Sequence, residues 1–185
     1  MPIDALAWTP ALDRPDLVAP ATADALRRWA DVEPAVATGV RVAAIDPDLA
    51  DTAALTAAYG LALDASGNCV LVAGRRAGEE RVAAAVVLAS TRADVNAAIK
   101  RLLDVRKASF MPMDRAVEES GMEYGGITPV GLPAGWRVLV DARVRDAGDV
   151  VVGSGLRRSK LALPGDLLAT MPGAEVVEDL AVTAP

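Results

Sequence analysis

Gly121-Met122-Glu123-Tyr124-Gly125-Gly126-Ile127-Thr128-Pro129-Val130-Gly131 places four glycines and one proline in eleven residues, between a helical segment and an apolar strand. Glycine lets the main chain approach a ligand closely. Adjacent glycines can aim successive N–H groups at one acceptor, forming an anion or oxyanion nest. Pro129 stiffens the exit from the loop. Loop glycines are common, so composition alone also fits an ordinary tight connection.

Outward from this loop, the chain alternates short helical and strand patterns. Upstream, Thr22 can cap a helix to about Ala30, with Ala25, Leu26 and Trp29 facing a core. Gly39–Ile45 reads as a strand, and Asp51 to Gly60 as a helix between an N-cap and a C′ glycine. Cys69–Ala73 and Arg81–Ala89 read as a hairpin turned by residues 74–78. Thr91 with Asp94 resembles a capping box for a helix reaching Leu103, with Val95, Ile99 and Leu102 on one face. Pro112 opens a further helix, which Gly121 stops. Downstream, Trp136–Val140, Val150–Gly153 and Lys160–Leu163 read as strands. Pro164 and Asp166 start a short helix, and Glu175–Val177 can form a last strand. The mixture predicts an α/β (mixed α+β) fold, a compact mixed sheet or barrel with surrounding helices, rather than a doubly wound parallel sheet. Residues 1–19 read as an irregular arm, and residues 20–185 as one domain.

Composition narrows the chemistry. The 185 residues include no histidine, which removes Ser-His-Asp and Cys-His catalysis and the usual neutral-pH proton shuttle. Only Cys69 carries a thiol; it has no basic neighbour in sequence and reads as a core cysteine. Metal-ligand and phosphate-loop motifs are absent, so no metal or cofactor is expected. A net charge of −6 argues against a protein that grips long nucleic acid or DNA. The start, Met1-Pro2-Ile3-Asp4, lacks the features of a signal peptide, and no apolar run is long enough to cross a membrane. A cytoplasmic protein is expected.

The run from Gly121 to Gly131 resembles the loop of the YbaK/EbsC and ProX-like editing domains, in a Gly-x-x-x-Gly-Gly-x-x-Pro-x-Gly pattern. The likeness extends to the Ala-rich helix ending Tyr59-Gly60 with Asn68 eight residues on, and to Val152-Gly153-Ser154-Gly155-Leu156-Arg157 followed by Leu161-Ala162-Leu163 and Asp166-Leu167. Together these segments cover roughly residues 40 to 180. The resemblance implies an aminoacyl-tRNA deacylase that clears a mischarged amino acid in trans without metal, histidine or acyl-enzyme. Its partner would be the tRNA acceptor end, and an aminoacyl-tRNA synthetase is a further candidate. The alternative is an inactive module of the same fold that binds an amino acid, its adenylate or a synthetase.

Carried over, Gly125 and Gly126 would bind the carbonyl end of the aminoacyl group. The family's lysine before the first core strand is Asn68 here, its aspartate on the last strand is Lys160, and a serine is Gly153. Lys160 is thereby either a candidate to supply the displaced charge or a solvated strand residue, and Gly125, Gly126 and Lys160 form the expected catalytic set. Asn68, Met122, Tyr124, Ile127, Thr128, Gly153, Ser154 and Gly155 are expected to line the substrate site, with Lys107 and Arg157 at its rim. Met122, Tyr124 and Ile127 either set pocket size or anchor the loop. Arg106-Lys107 and Arg157-Arg158 are two basic clusters that could meet tRNA phosphates, whereas Lys100 and Arg101 read as a solvated face. Asp141, closing a strand, is either a cap or a carboxylate near the site.

Overall fold

A computed structural model describes residues 6–183. The chain start, Met1-Pro2-Ile3-Asp4, lies outside these residues. Eleven strands and seven α-helices are found among them, arranged as three sheets with no closed barrel.

The four-stranded sheet runs β1 (Thr9–Pro10), β2 (Arg41–Ala44), β9 (Ser159–Pro164), β8 (Asp149–Gly153), all antiparallel. The five-stranded sheet runs β10 (Ala174–Val177), β7 (Arg137–Asp141), β4 (Glu79–Leu88), β3 (Gly67–Arg76), β6 (Ala108–Phe110). It is mixed: β7 is parallel to β4 and to β10, while β3 is antiparallel to β4 and β6. A small third sheet pairs β5 (Thr91–Ala93) with β11 (Ala181–Thr183).

The helices are α1 (Pro20–Val32), α2 (Val36–Gly39), α3 (Thr52–Tyr59), α4 (Lys100–Leu102), α5 (Met113–Ser120), α6 (Ala142–Arg145) and α7 (Gly165–Ala169). The apolar spacing of α1 buries Ala23, Leu26 and Trp29 against the four-stranded sheet and β7. Central strand β4 explains its own composition. Val82 through Leu88 are all buried, because one face packs on the helical turns of residues 95–103 and the other on the α1 core and α5.

Several boundaries differ from the sequence expectation for identifiable reasons. Thr22 lies inside α1, which begins at Pro20, and its hydroxyl donates to Val130 O at 3.0 Å, tying the helix to the exit of the glycine loop. The hairpin turn is two residues, Ala77 and Gly78, both at positive φ, so both strands run on to the tip. Thr91 is recruited into β5 by a strand ninety residues away, and Asp94 itself caps the next helix, accepting from Ala97 N and Ala98 N. That helix opens as a π-turn over Val95–Ile99. Residues 9–17, expected as an irregular arm, supply β1 and two 3-10 turns, with Leu17 and Val18 in the core.

Candidate functional site

The four-stranded and five-stranded sheets meet at a single parallel bridge, Ser66 to Val151, and then diverge. Gly67–Val70 of β3 form one side of the gap; Gly153 of β8 and Lys160 of β9 form the other. The start of α3 (Ala50, Asp51, Thr52), the start of α5 (Met113) and loop residues Tyr124, Gly125 and Ile127 complete a cleft of about 320 Å³. Met111 N donates to Leu71 O, so odd-numbered residues of β3 turn their main-chain groups away from β4. Strand β6 covers that edge only as far as Leu71. By the same alternation the N–H and C=O of Cys69 face the uncovered part, at the cleft.

The glycine loop is zipped to the turn after β8. Glu123 N donates to Gly155 O (2.9 Å), Gly155 N to Gly126 O (2.7 Å), and Arg157 N to the Glu123 carboxylate (2.6 Å). Gly153 must lack a side chain: a Cβ there would sit 2.3 Å from Gly126 O and 2.4 Å from Ile127 O. Gly125 adopts φ +77°, lines the cleft, and its N–H has no hydrogen-bond partner among the described residues. Gly126 is different. Its N–H donates to Glu123 O at 2.9 Å, and it is buried against the Leu156 backbone. The expected two-amide nest is therefore corrected to one open amide, Gly125, because the turn consumes the other.

Lys160 is buried, and its ammonium donates to Ala50 O (2.7 Å) and Gly125 O (2.9 Å). One of its three hydrogens is left for the cleft. Burial pushes its pKa down to about 8; the nearby Asp51 carboxylate opposes this shift and Arg157 adds to it. Asp51 occupies the N-cap position of α3, yet its side chain makes no capping bond and lines the cleft instead. Sequence reading took this residue as a cap; the missing signal is the direction of its carboxylate. Asn68 accepts from Thr52 Oγ1 at 2.7 Å, which leaves its amide NH₂ without a protein partner among the described residues.

At the rim, Tyr124 is 48% exposed, and the Arg157 guanidinium stacks 5.4 Å from its ring centroid. Half-exposed Met113, not singled out by sequence, lines the cleft beside it. Other expected site residues serve the frame. Met122 is buried, and its Sδ accepts from Thr128 N. Thr128 is buried with no partner for its hydroxyl among the described residues. The Ser154 hydroxyl is held by Ser159 and the 154–159 turn, and Gly155 is locked in the zipper. Lys107 is exposed ahead of β6, off the cleft lining. Asp141 is a cap, accepting from Arg143 N and Ala181 N. Cys69 lies half-buried on the cleft wall rather than in the core interior, and apolar burial pushes its thiol up to about 12. A thiolate nucleophile is unavailable to such a group at neutral pH. Among the described residues, no group of three or more Cys, Asp or Glu side chains could hold a metal ion, and no helix is long and apolar enough to cross a membrane.

A family model for the aminoacyl-tRNA editing domain matches residues 46–171, which contain every cleft residue named above. The chain belongs to the aminoacyl-tRNA editing domain family. Solved structures share the fold of this editing domain. The hypothetical protein APE2540 is 22% identical, with a TM-score of 0.71 over 85% of this chain and 99% of its own. A protein described as a candidate trans-editing enzyme for prolyl tRNA synthetase is 16% identical, with a TM-score of 0.68 over 87% of this chain and 97% of its own. A scaffold protein from a computational epitope-grafting study is 17% identical, with a TM-score of 0.68 over 90% of this chain and 100% of its own. A search of curated proteins returns no match.

Proposed function

We propose that this editing domain is an aminoacyl-tRNA deacylase acting in trans, which hydrolyses a small, wrongly attached amino acid from the tRNA 3′ end. The observation that carries the reading is the open Gly125 N–H on the cleft wall, with the Lys160 ammonium bonded to the carbonyl of the same residue. An ester carbonyl placed here receives a hydrogen bond from Gly125 and the field of a buried cation. Both strengthen as negative charge develops on its oxygen. Asp51 is placed to hold the substrate α-ammonium group, and the Asn68 amide to bond the terminal ribose or the amino acid. Water adds to the carbonyl, passing a proton to the neighbouring ribose hydroxyl, which hands its own proton to the departing ester oxygen. The ester C–O bond then breaks, and the ribose oxygen leaves protonated. Tyr124 and Met113 offer a surface on which the terminal base can stack.

The structural relative described as a candidate trans-editing enzyme for prolyl tRNA synthetase supports a substrate that comes from a synthetase's error. A panel of tRNAs charged with small amino acids, incubated with the protein and scored for released amino acid, tests the proposal. Release of one amino acid well above the spontaneous rate is expected. Background rates for the whole panel at high protein concentration would overturn it.

A second reading, a binding module without turnover, draws on the closed Gly126 amide and on the two protein carbonyls that already hold Lys160. It predicts thermal stabilisation by a non-hydrolysable aminoacyl-adenosine analogue together with no release from any charged tRNA.

A further inference from the structure

We infer that the tip of the β3–β4 hairpin, joined to the cleft by edge strand β6, is a contact surface for the phosphate backbone of an RNA acceptor stem; this rests on the reading of the cleft as an aminoacyl-ester site. Arg75, Arg76 and Arg106 surround a hollow of about 380 Å³ at this tip, and Lys107 follows directly in sequence. The chain as a whole carries a charge of −6, so this grouping runs against the average. Arg76 and Arg81 share Asp104, whereas Arg75, Arg106 and Lys107 form no ion pair among the described residues. Across the hairpin Glu80 turns to Arg115, and Glu79 makes no ion pair with its neighbour Arg76. Exposed guanidinium groups without carboxylate partners, gathered at a concavity, suit phosphate oxygens.

The position is fixed relative to the cleft. Asn68 and Arg75 lie on the same strand, seven residues apart, which is about 24 Å at the rise of an antiparallel strand. The unpaired 3′ end of an acceptor arm spans such a gap and brings the first paired phosphates to the arginines. Two-point contact of this kind suits RNA that is read through shape and phosphates. The intervening chain is also suited to a single strand. β6 is the sheet edge, Ser109 and Phe110 on it are exposed, and three residues later Met113 lines the cleft. The segment is clamped in place: Gly74 packs so tightly on Lys107 O and Val105 that an added Cβ would lie 2.5 Å from that carbonyl. Arg75 and Arg76 are thereby held on β3, and Arg106 on a bend packed against that strand.

The test is the double variant Arg75→Ala/Arg106→Ala, at two exposed positions outside the cleft. Three readouts are compared with wild type: deacylation of full-length charged tRNA, deacylation of an aminoacyl-adenosine ester that has no stem, and fluorescence-anisotropy binding of a fluorescent acceptor-stem RNA over a salt series. The expected result is a selective loss with full-length tRNA, unchanged turnover of the small ester, and a salt slope shallower by about two. Two lost phosphate contacts correspond to a roughly tenfold smaller change in affinity between about 50 and 200 mM salt. Unchanged RNA binding and slope would overturn the surface, and so would an equal loss on both substrates. If wild type hydrolyses neither ester, the deacylase reading falls, and the binding arm still decides the surface on its own.

Discussion

Replacing Lys160 with methionine removes a buried ammonium while keeping much of its volume, and the pH dependence of the resulting stability change is calculable. Burial lowers the lysine from 10.5 to about 8 in the folded chain, a shift equivalent to about 3 kcal/mol. Below about pH 8 the native state carries the full cost of the desolvated charge. Between about 8 and 10.5 the unfolded chain binds more protons than the native one, so stability rises with pH. The methionine variant lacks this term. Its loss of the bonds to Ala50 O and Gly125 O is independent of pH and cancels from the slope. Urea unfolding of both proteins at several pH values gives the difference directly. Wild type is expected to gain on the variant by about 2 kcal/mol from pH 8 to pH 10. A flat difference, or one that moves the other way, would refute the claim that this lysine is charged and desolvated in the fold. Turnover offers a parallel readout. If the ammonium stabilises the developing oxyanion, enzymic release, corrected for spontaneous hydrolysis, halves near pH 8 and falls about tenfold per further unit.

Gly153→Ala places a methyl on the carbonyl oxygens of Gly126 and Ile127; a loss of about 2–3 kcal/mol in stability is expected by chemical denaturation, and a neutral result would mean the loop is not fixed by β8. Thr128→Val replaces a buried hydroxyl that has no partner among the described residues and is expected to raise stability by about 1 kcal/mol; a fall in melting temperature would reveal an unrecognised bond. Cys69, with its thiol pushed up to about 12, should resist iodoacetamide at neutral pH in the folded protein and react after unfolding. Fast stoichiometric alkylation of the native state would contradict that environment.

What could be read from the sequence was local. Asp51 to Gly60, Pro112 to Gly121 and the two hairpin strands announce themselves through caps, breakers and apolar runs, and the structure places elements there with shifts of a few residues at most. The cleft was legible through its loop: Asn68, Tyr124, Gly125, Ile127, Gly153 and Lys160 all reach it. The rest depends on partners distant in sequence. Thr91 is strand only because residues 181–183 lie beside it, and Thr22 is spoken for by Val130. Gly126 looked equivalent to Gly125, but the turn to Glu123 separates them, and no composition rule states which of two adjacent amides a turn will use. Asp51 was hidden by a good local explanation, since an aspartate before a helix invites no further question.

The single bridge from Ser66 to Val151 sets how wide the jaws of this site stand. One residue beyond it, a methyl on Gly67 would press on Val152 at 2.9 Å, so the hinge is already closed to steric contact. Side chains at that pivot act on the mouth as a shim acts on a vice, changing its gauge without touching the chemistry inside. Under the proposed deacylase reading, a shift in the size of amino acid accepted can therefore arise from buried valines at the pivot, leaving Gly125 and Lys160 as they are.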